Sequence, residues 1–433
     1  MIYALVAMLA CILIFAYVAA KQDLLSPWVL ITASFLNSSV LAMLNLEYWQ
    51  YGFHMNTCLV IVASVVSFGL GNMFVMHAFK WNGYTRISGS ERPYVLPLWV
   101  IAACILVEAA WAAVSARELY QLSEAYGNSE GLKHAIPVVR TMLEAKVVML
   151  PRIIYYGFDV ALAISTFFMG LFLRNLIWFG WRKVSLLWLL PLLGIVPHTL
   201  LTTGRVGFLT FTLVGLIEAV VLYQLKHGCS FRNNLRLVSV MAMVFVFFFA
   251  SFFAAGSLTW KGLSADRGPF KIISHYTGAQ VPAFDVYLNQ LTTPEDTLIG
   301  PMTLIGIHGN LRALGFDIKP RSTFLEFTHF ANVDTNIYTS LRAYINDYGY
   351  IGMAMVSFLL GTFCTAFYQL LAGGRLGFMG LLAYASIAWP LFLFGHNETF
   401  FVGVFTTTSI YILSVIAVLY LVLRRYNKNV FSV

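Results

Sequence analysis

The sequence predicts an all-α polytopic integral membrane protein of about eleven transmembrane helices, within a range of 10–14, carrying a large extracytoplasmic loop domain of short helices. Three observations predict it. Of 433 residues, 59% are hydrophobic and only 11% are charged, whereas charged residues make up about 25% of soluble domains. The mean hydropathy is +0.77. Apolar runs also recur along the chain at a length that crosses a hydrocarbon layer about 30 Å thick. Inside lipid the backbone must satisfy its own hydrogen bonds, and these runs are roughly twice the length of a barrel strand, so each is read as a helix.

In chain order the runs lie near residues 1–20, 27–45, 56–77, 94–115, 154–173, 184–203, 206–225, 237–256, 349–371, 377–397 and 401–423. The first lacks a basic start and a small-residue cleavage site before Lys21-Gln22-Asp23, so it reads as a retained span and not a signal peptide. The short loops set orientation. Lys80, Arg86 and Arg92, then Arg174, Arg182 and Lys183, then Lys226, Arg232 and Arg236, and finally Arg424, Arg425 and Lys428 share one side, which the positive-inside rule makes cytoplasmic. The net charge of +8 is then mostly a collar beside anionic headgroups, and no nucleic-acid partner is expected. Cys11, Cys58, Cys104 and Cys364 fall in apolar runs and Cys229 in a cytoplasmic loop, with neither disulfide nor metal-ligand spacing.

Three regions follow. Residues 1–256 form an N-terminal membrane region of about eight spans, with an extracytoplasmic excursion at 116–153. Residues 257–348 form the extracytoplasmic loop domain, and 349–433 a C-terminal membrane region of about three spans. In the excursion, a break at Gly127-Asn128-Ser129 precedes apolar residues at Ile136, Val139, Leu143 and Val147, the spacing of an amphipathic helix lying on the membrane surface. The insert is too long to be a passive connection. Ser274 to Gln290 reads as helical after Pro282, and Pro294, Pro301 and Pro320 punctuate the rest.

No phosphate-binding glycine loop, dinucleotide fingerprint, HExxH or DxD occurs. The missing DxD argues against a soluble-type glycosyltransferase that holds a nucleotide sugar through a divalent metal, and no metal or cofactor is expected. What remains is arginine. Arg205 closes Thr202-Thr203-Gly204-Arg205 in a tight outer turn between two spans, where its planar fork suits phosphate and Gly204 lets backbone amides approach. A plainer reading makes it a headgroup contact.

Arg342 lies in Thr335 to Gly352, TNIYTSLRAYINDYGYIG, at the end of the insert. If a helix starts near Asp334, then Thr335, Tyr338 and Arg342 share one face, with Asn346 a turn further. Alternatively Asp334 is an N-cap, and Tyr338, Tyr344 and Tyr348 form an interfacial aromatic belt. His308, Arg312, Arg321, Glu326 and His329 are further polar candidates in the insert. Glu108, Asp159 and Glu218 are costly groups within spans, and His198 and His396 read as packing histidines.

These segments resemble the Wzy-type polymerases of bacterial surface polysaccharide, the O-antigen or oligosaccharide repeat-unit polymerases, which share a fold with O-antigen ligases in the broader GT-C glycosyltransferase group. The likeness lies in Asp23-Leu24-Leu25-Ser26-Pro27, in Thr202-Thr203-Gly204-Arg205, and in Thr335-Asn336-Ile337-Tyr338-Thr339 through Arg342 and Asp347 to Gly349 and Gly352. Ligases place a histidine before the asparagine where this chain has Thr335, which favours the polymerase. The resemblance implies transfer of a growing glycan from polyprenyl diphosphate to the next polyprenyl-diphosphate-linked repeat unit, on the outer face of a bacterial cytoplasmic membrane. The alternatives are a ligase-like transferase or a transporter of lipid-linked sugars.

The implied partners are polyprenyl-diphosphate-linked oligosaccharides, membrane lipids, and a chain-length regulator and flippase of the same pathway. Arg205 and Arg342 would stabilise the diphosphate leaving group in place of a metal. Asp334, His329 and Asp347 are candidate bases by position. Thr203, Gly204, Thr335, Asn336, Tyr338, Tyr344, Arg321, Arg312 and His308 are expected to contact substrate.

Overall fold

The computed structural model describes residues 1–79, 92–127, 131–145, 147–202, 206–258, 269–290, 300–319 and 325–427. Among these, seven helices are long and apolar enough to cross a membrane, and three shorter apolar helical segments accompany them. The protein is a helical membrane protein. The first half comprises α1 (Ile2–Ala19), α2 (Pro27–Met43), the single turn α3 (Leu46–Trp49), α4 (Met55–Ala78), α5 (Leu98–Glu124), α6 (Leu132–Glu144) and α7 (Arg152–Phe179). Then follow α8 (Leu189–Leu193), α9 (Ile195–Leu201), α10 (Val206–His227) and α11 (Phe231–Leu258). The predicted run at 184–203 is one of the shorter segments, Leu186–Leu201, with Pro191 and Pro197 in its sequence removing backbone donors. The predicted run at 237–256 lies within α11.

Asp23 anchors the segment that leads into α2. Its carboxylate is buried and accepts hydrogen bonds from the Leu25 amide at 2.9 Å, the Tyr368 hydroxyl at 2.9 Å and the Gln224 amide at 3.3 Å. Pro27 stands at the first helical position, where a missing N–H costs nothing. Arg174 departs from the short-loop collar expected beside anionic headgroups. It lies inside α7, is buried, and its guanidinium carbon sits 3.5 Å from the Tyr94 ring centroid.

The excursion is helical as expected, but α6 ends at Glu144 and leaves Val147 exposed beyond it. Val139 of α6 packs with Leu119 of α5, Ile154 of α7 and Leu201 of α9, so part of its apolar stripe is covered by protein.

The insert contains α12 (Pro269–Gly278), α13 (Gln280–Gln290) and α14 (Ile305–Ala313), then a two-residue ladder of β1 (Thr328–His329) and β2 (Asp334–Thr335). The helix expected only after Pro282 already runs through it. Pro282 is the third residue of α13, where a backbone N–H has no intrahelical acceptor to lose. The C-terminal region comprises α15 (Leu341–Ala372), α16 (Phe378–Ala388), the turn α17 (Phe400–Gly403) and α18 (Thr407–Tyr426).

Two glycines shape the junction of insert and membrane. Gly349 breaks α15 with φ 65° and ψ −170°, a region that only glycine adopts without strain. The break separates a short N-terminal segment bearing Arg342, Tyr344 and Asp347 from the apolar remainder. Gly300, with φ +48°, lies so close to the Tyr348 hydroxyl that an added Cβ would collide with it.

Candidate functional site

Arg342 is the centre of a polar cluster at the start of α15. It sits in the first turn of α15, where the Ser340 hydroxyl and amide both bond the Phe394 carbonyl, at 2.8 and 3.2 Å, and fix the helix start. The expected helix from Asp334 is corrected here, because Asp334 and Thr335 form β2, paired antiparallel with His329 and Thr328. Thr335, Tyr338 and Arg342 therefore do not share a helical face. The Thr335 hydroxyl accepts from the Ile337 amide at 3.2 Å, closing a local turn in place of a helical one.

Tyr338 still reaches Arg342. The guanidinium carbon lies 3.9 Å from the Tyr338 ring centroid and 4.6 Å from that of Tyr287 on α13. Each ring is held by its hydroxyl. Tyr338 donates to the Glu326 carbonyl at 3.1 Å and lies 2.8 Å from the Thr328 hydroxyl, while Tyr287 donates to Asn346 at 3.2 Å. Burial pushes the Tyr287 phenol up to about 12, against an opposing pull from Arg342.

One arginine nitrogen, Nη2, donates to both Glu326 oxygens, at 2.5 and 2.6 Å. The Arg342 side chain is 7% exposed and that of Glu326 63%. Partial burial pushes the Glu326 carboxyl up, but the Arg342 hydrogen bonds and charge bring it below its ordinary value. The other two nitrogens, Nε and Nη1, are buried with no hydrogen-bond partner among the described residues. Leaving buried donors unpaired costs about 1–3 kcal/mol each. Nearby, the buried Thr339 hydroxyl also lacks a partner among the described residues.

Other predicted site residues are drawn into different work. The Asp347 carboxylate accepts from the Met302 amide at 3.0 Å and the Thr303 amide at 2.6 Å, and so ties the turn after Gly300 to α15. This buried group also accepts from Asn346 Nδ2 at 3.3 Å. The Tyr344 hydroxyl bonds Glu398 at 3.2 Å, and Glu398 in turn accepts from the amides of Phe400, Phe401 and Val402, capping α17. His329 and Asp334 form an exposed pair, Nδ1 to Oδ1 2.8 Å. Asn336 is half-buried. His308 is buried on α14, and Arg312 is exposed in that helix's last turn. Arg205, Thr203, Gly204 and Arg321 lie outside the described residues.

Sequence reasoning missed a second cluster. Asp285 on α13 is fully buried, and its carboxylate accepts from the Tyr51 hydroxyl at 2.8 Å, the His54 amide at 3.1 Å and the Thr57 hydroxyl. It also meets the His54 ring at Nδ1, 2.9 Å away. Because Asp285 faces Tyr51, His54 and Thr57 at the start of α4 and Tyr287 faces Arg342, one short helix joins the two clusters. Tyr287 was equally silent in the sequence, since nothing local distinguishes it from the chain's 21 other tyrosines, 22 in all. No protein-family model, curated protein or solved structure matches the chain.

Proposed function

We propose that this protein is a polymerase of bacterial surface polysaccharide in the cytoplasmic membrane, with its site on the outer face, transferring a growing glycan from polyprenyl diphosphate to the next polyprenyl-diphosphate-linked repeat unit. The observation that carries the reading is Arg342. It is a buried guanidinium lined by two tyrosine rings, its one hydrogen-bonded nitrogen held by an exposed carboxylate, in the first turn of a long apolar helix. A cation preorganised in a site shielded from water stabilises charge that grows on a departing diphosphate, and its loss typically costs about 3 kcal/mol or roughly a hundredfold in rate. The lipid tail of such a substrate belongs in the bilayer that the apolar helices imply.

In this reading the eleven apolar runs all span the membrane, the insert is extracytoplasmic, and Arg205, which the sequence puts between two spans, supplies a second cation. Asp347 and Tyr344 are scaffold. Asp347 fixes the start of the insert's 300–304 turn and Tyr344 ties α15 to α17. The resemblance of the 335–352 segment to Wzy-type polymerases points the same way as the physical reading.

The test is genetic and chemical together. Cells lacking the gene are complemented with wild type, Arg342→Ala or Arg205→Ala, and surface polysaccharide is run on a gel. The reading requires a single-repeat band without the gene, a full ladder with wild type, and no ladder with either variant. Loss of all core-attached glycan would point to a ligase or flippase.

A further inference from the structure

The salt bridge between Glu326 and Arg342 has a one-sided geometry. Both carboxylate oxygens converge on Nη2, while Nε and Nη1 are buried and the rings of Tyr338 and Tyr287 pack against the guanidinium, 3.9 and 4.6 Å from its carbon. Of the three guanidinium nitrogens, Nη2 is therefore the one that an incoming anion meets without repacking the site. Glu326 already sits there. It is the more exposed partner, its side chain 63% open against 7% for Arg342, and its backbone is pinned by the Tyr338 hydroxyl. The side chain is free to swing while its attachment point stays beside the site.

We propose that Glu326 is the proton acceptor for the attacking sugar hydroxyl, held on Arg342 until the donor's diphosphate takes that nitrogen. This rests on the polymerase reading above. A diphosphate carries more charge than a carboxylate and offers several oxygens, so it displaces Glu326 from the guanidinium by direct competition. The exchange changes the carboxylate. On Arg342 it is a weak base, because the adjacent cation favours its ionised form. Once released beside a bound polyanion, it loses that support and meets like charge, which raises its affinity for a proton. Base strength thus appears only when the donor is in place.

The step then balances. The acceptor hydroxyl gives its proton to a Glu326 oxygen, and its oxygen lone pair forms the bond to C1 of the donor's reducing sugar. The C1–O bond to the diphosphate breaks, leaving its electron pair on the diphosphate oxygen that faces Arg342. Glu326 passes the proton to bulk water and returns to Nη2 as the polyprenyl diphosphate leaves.

Glu326→Gln separates the two parts of the claim because they move opposite ways. Full-length protein in proteoliposomes is assayed for affinity toward farnesyl diphosphate and for elongation of lipid-linked repeat units extracted from the source cells. Removing the internal competitor should tighten farnesyl diphosphate binding several-fold, while removing the base should lower turnover about a hundredfold. Glu326→Asp, which keeps a carboxylate, should recover part of that turnover. A merely structural glutamate would not give tighter binding with slower chemistry.

Turnover at the wild-type level in Glu326→Gln overturns the base, and unchanged farnesyl diphosphate affinity overturns the exchange. Failure of the polymerase reading looks different. Wild-type protein would then bind farnesyl diphosphate through Arg342, lost in Arg342→Ala, yet never lengthen a chain, and the proposal would fall with it. Because Glu326 is largely exposed, its variants should keep the wild-type elution volume in detergent, which separates these outcomes from misfolding.

Discussion

The guanidinium of Arg342 lies 3.9 Å from the ring of Tyr338, four residues earlier in the chain, although no helix joins them. Tyr338 belongs to the irregular link between β2 and α15, and its hydroxyl is fastened to Thr328 and to the Glu326 carbonyl. The hairpin therefore sets the ring, and the ring sets the arginine. An approach usually made by one helical turn is made here by a strand pair and a helix start.

Tyr338 separates stacking from hydrogen bonding. Tyr338→Phe keeps the ring face and loses two hydroxyl contacts, whereas Tyr338→Ala loses the cation–π contact, worth about 0.5–2 kcal/mol. Elongation measured on lipid-linked repeat units should survive in the Phe variant to within a few-fold. In the Ala variant it should fall by roughly tenfold or more. Equal activity in both would mean the ring does not orient Arg342.

Asp285 should behave as a clamp. Its carboxylate meets donors from Tyr51, His54 and Thr57, so Asp285→Asn turns an amide N–H toward at least one of them. Thermal unfolding in detergent should show a loss of about 1–3 kcal/mol for that mismatch. Because α13 also carries Tyr287, farnesyl diphosphate affinity should weaken as well. A melting temperature equal to wild type would place the attachment of α13 elsewhere.

Gly349 tests the break in α15. At φ 65° and ψ −170° an alanine is strained by about 1–3 kcal/mol, and straightening the helix would pull Arg342 from Tyr287 and Asp347 from the 300–304 turn. Gly349→Ala should lower the melting temperature and reduce elongation together. A stable, fully active variant would show that the break has no role in holding the site.

The Glu326–Arg342 pair gives a pH dependence with a definite sign. Its carboxyl is lowered in the folded protein from an ordinary value of 4.5. The pair therefore contributes stability above that value and loses it as pH falls through the lowered one. The melting-temperature gap between wild type and Glu326→Gln should be open at about pH 6 and close toward about pH 3. A gap that widens with acid would mean the carboxylate is not ionised in the folded state.

The membrane class was legible because it depends on composition and run length, which need no partner. The run at 349–371, for example, reappears as the part of α15 beyond Gly349. That Arg342 stands among aromatic residues was legible, since Tyr338 and Tyr344 flank it in the chain. Its geometry was not, since the helix expected from Asp334 yields to a β pairing with His329, a contact between residues whose local propensities do not require it. Tyr287 and Asp285 stayed hidden for a related reason. Their roles arise from segments 55 and 231 residues away, Arg342 and His54, and no local spacing encodes such a meeting. Asp347 stood out as a carboxylate five residues after Arg342, but its partners, the Met302 and Thr303 amides, come from a segment no local spacing points to.

The most direct measurement is chain growth in cells complemented with Arg342→Ala against wild type, read as the polysaccharide ladder on a gel at matched membrane protein levels. The account predicts a full ladder with wild type and a single-repeat band with Arg342→Ala. A wild-type ladder from Arg342→Ala would contradict it.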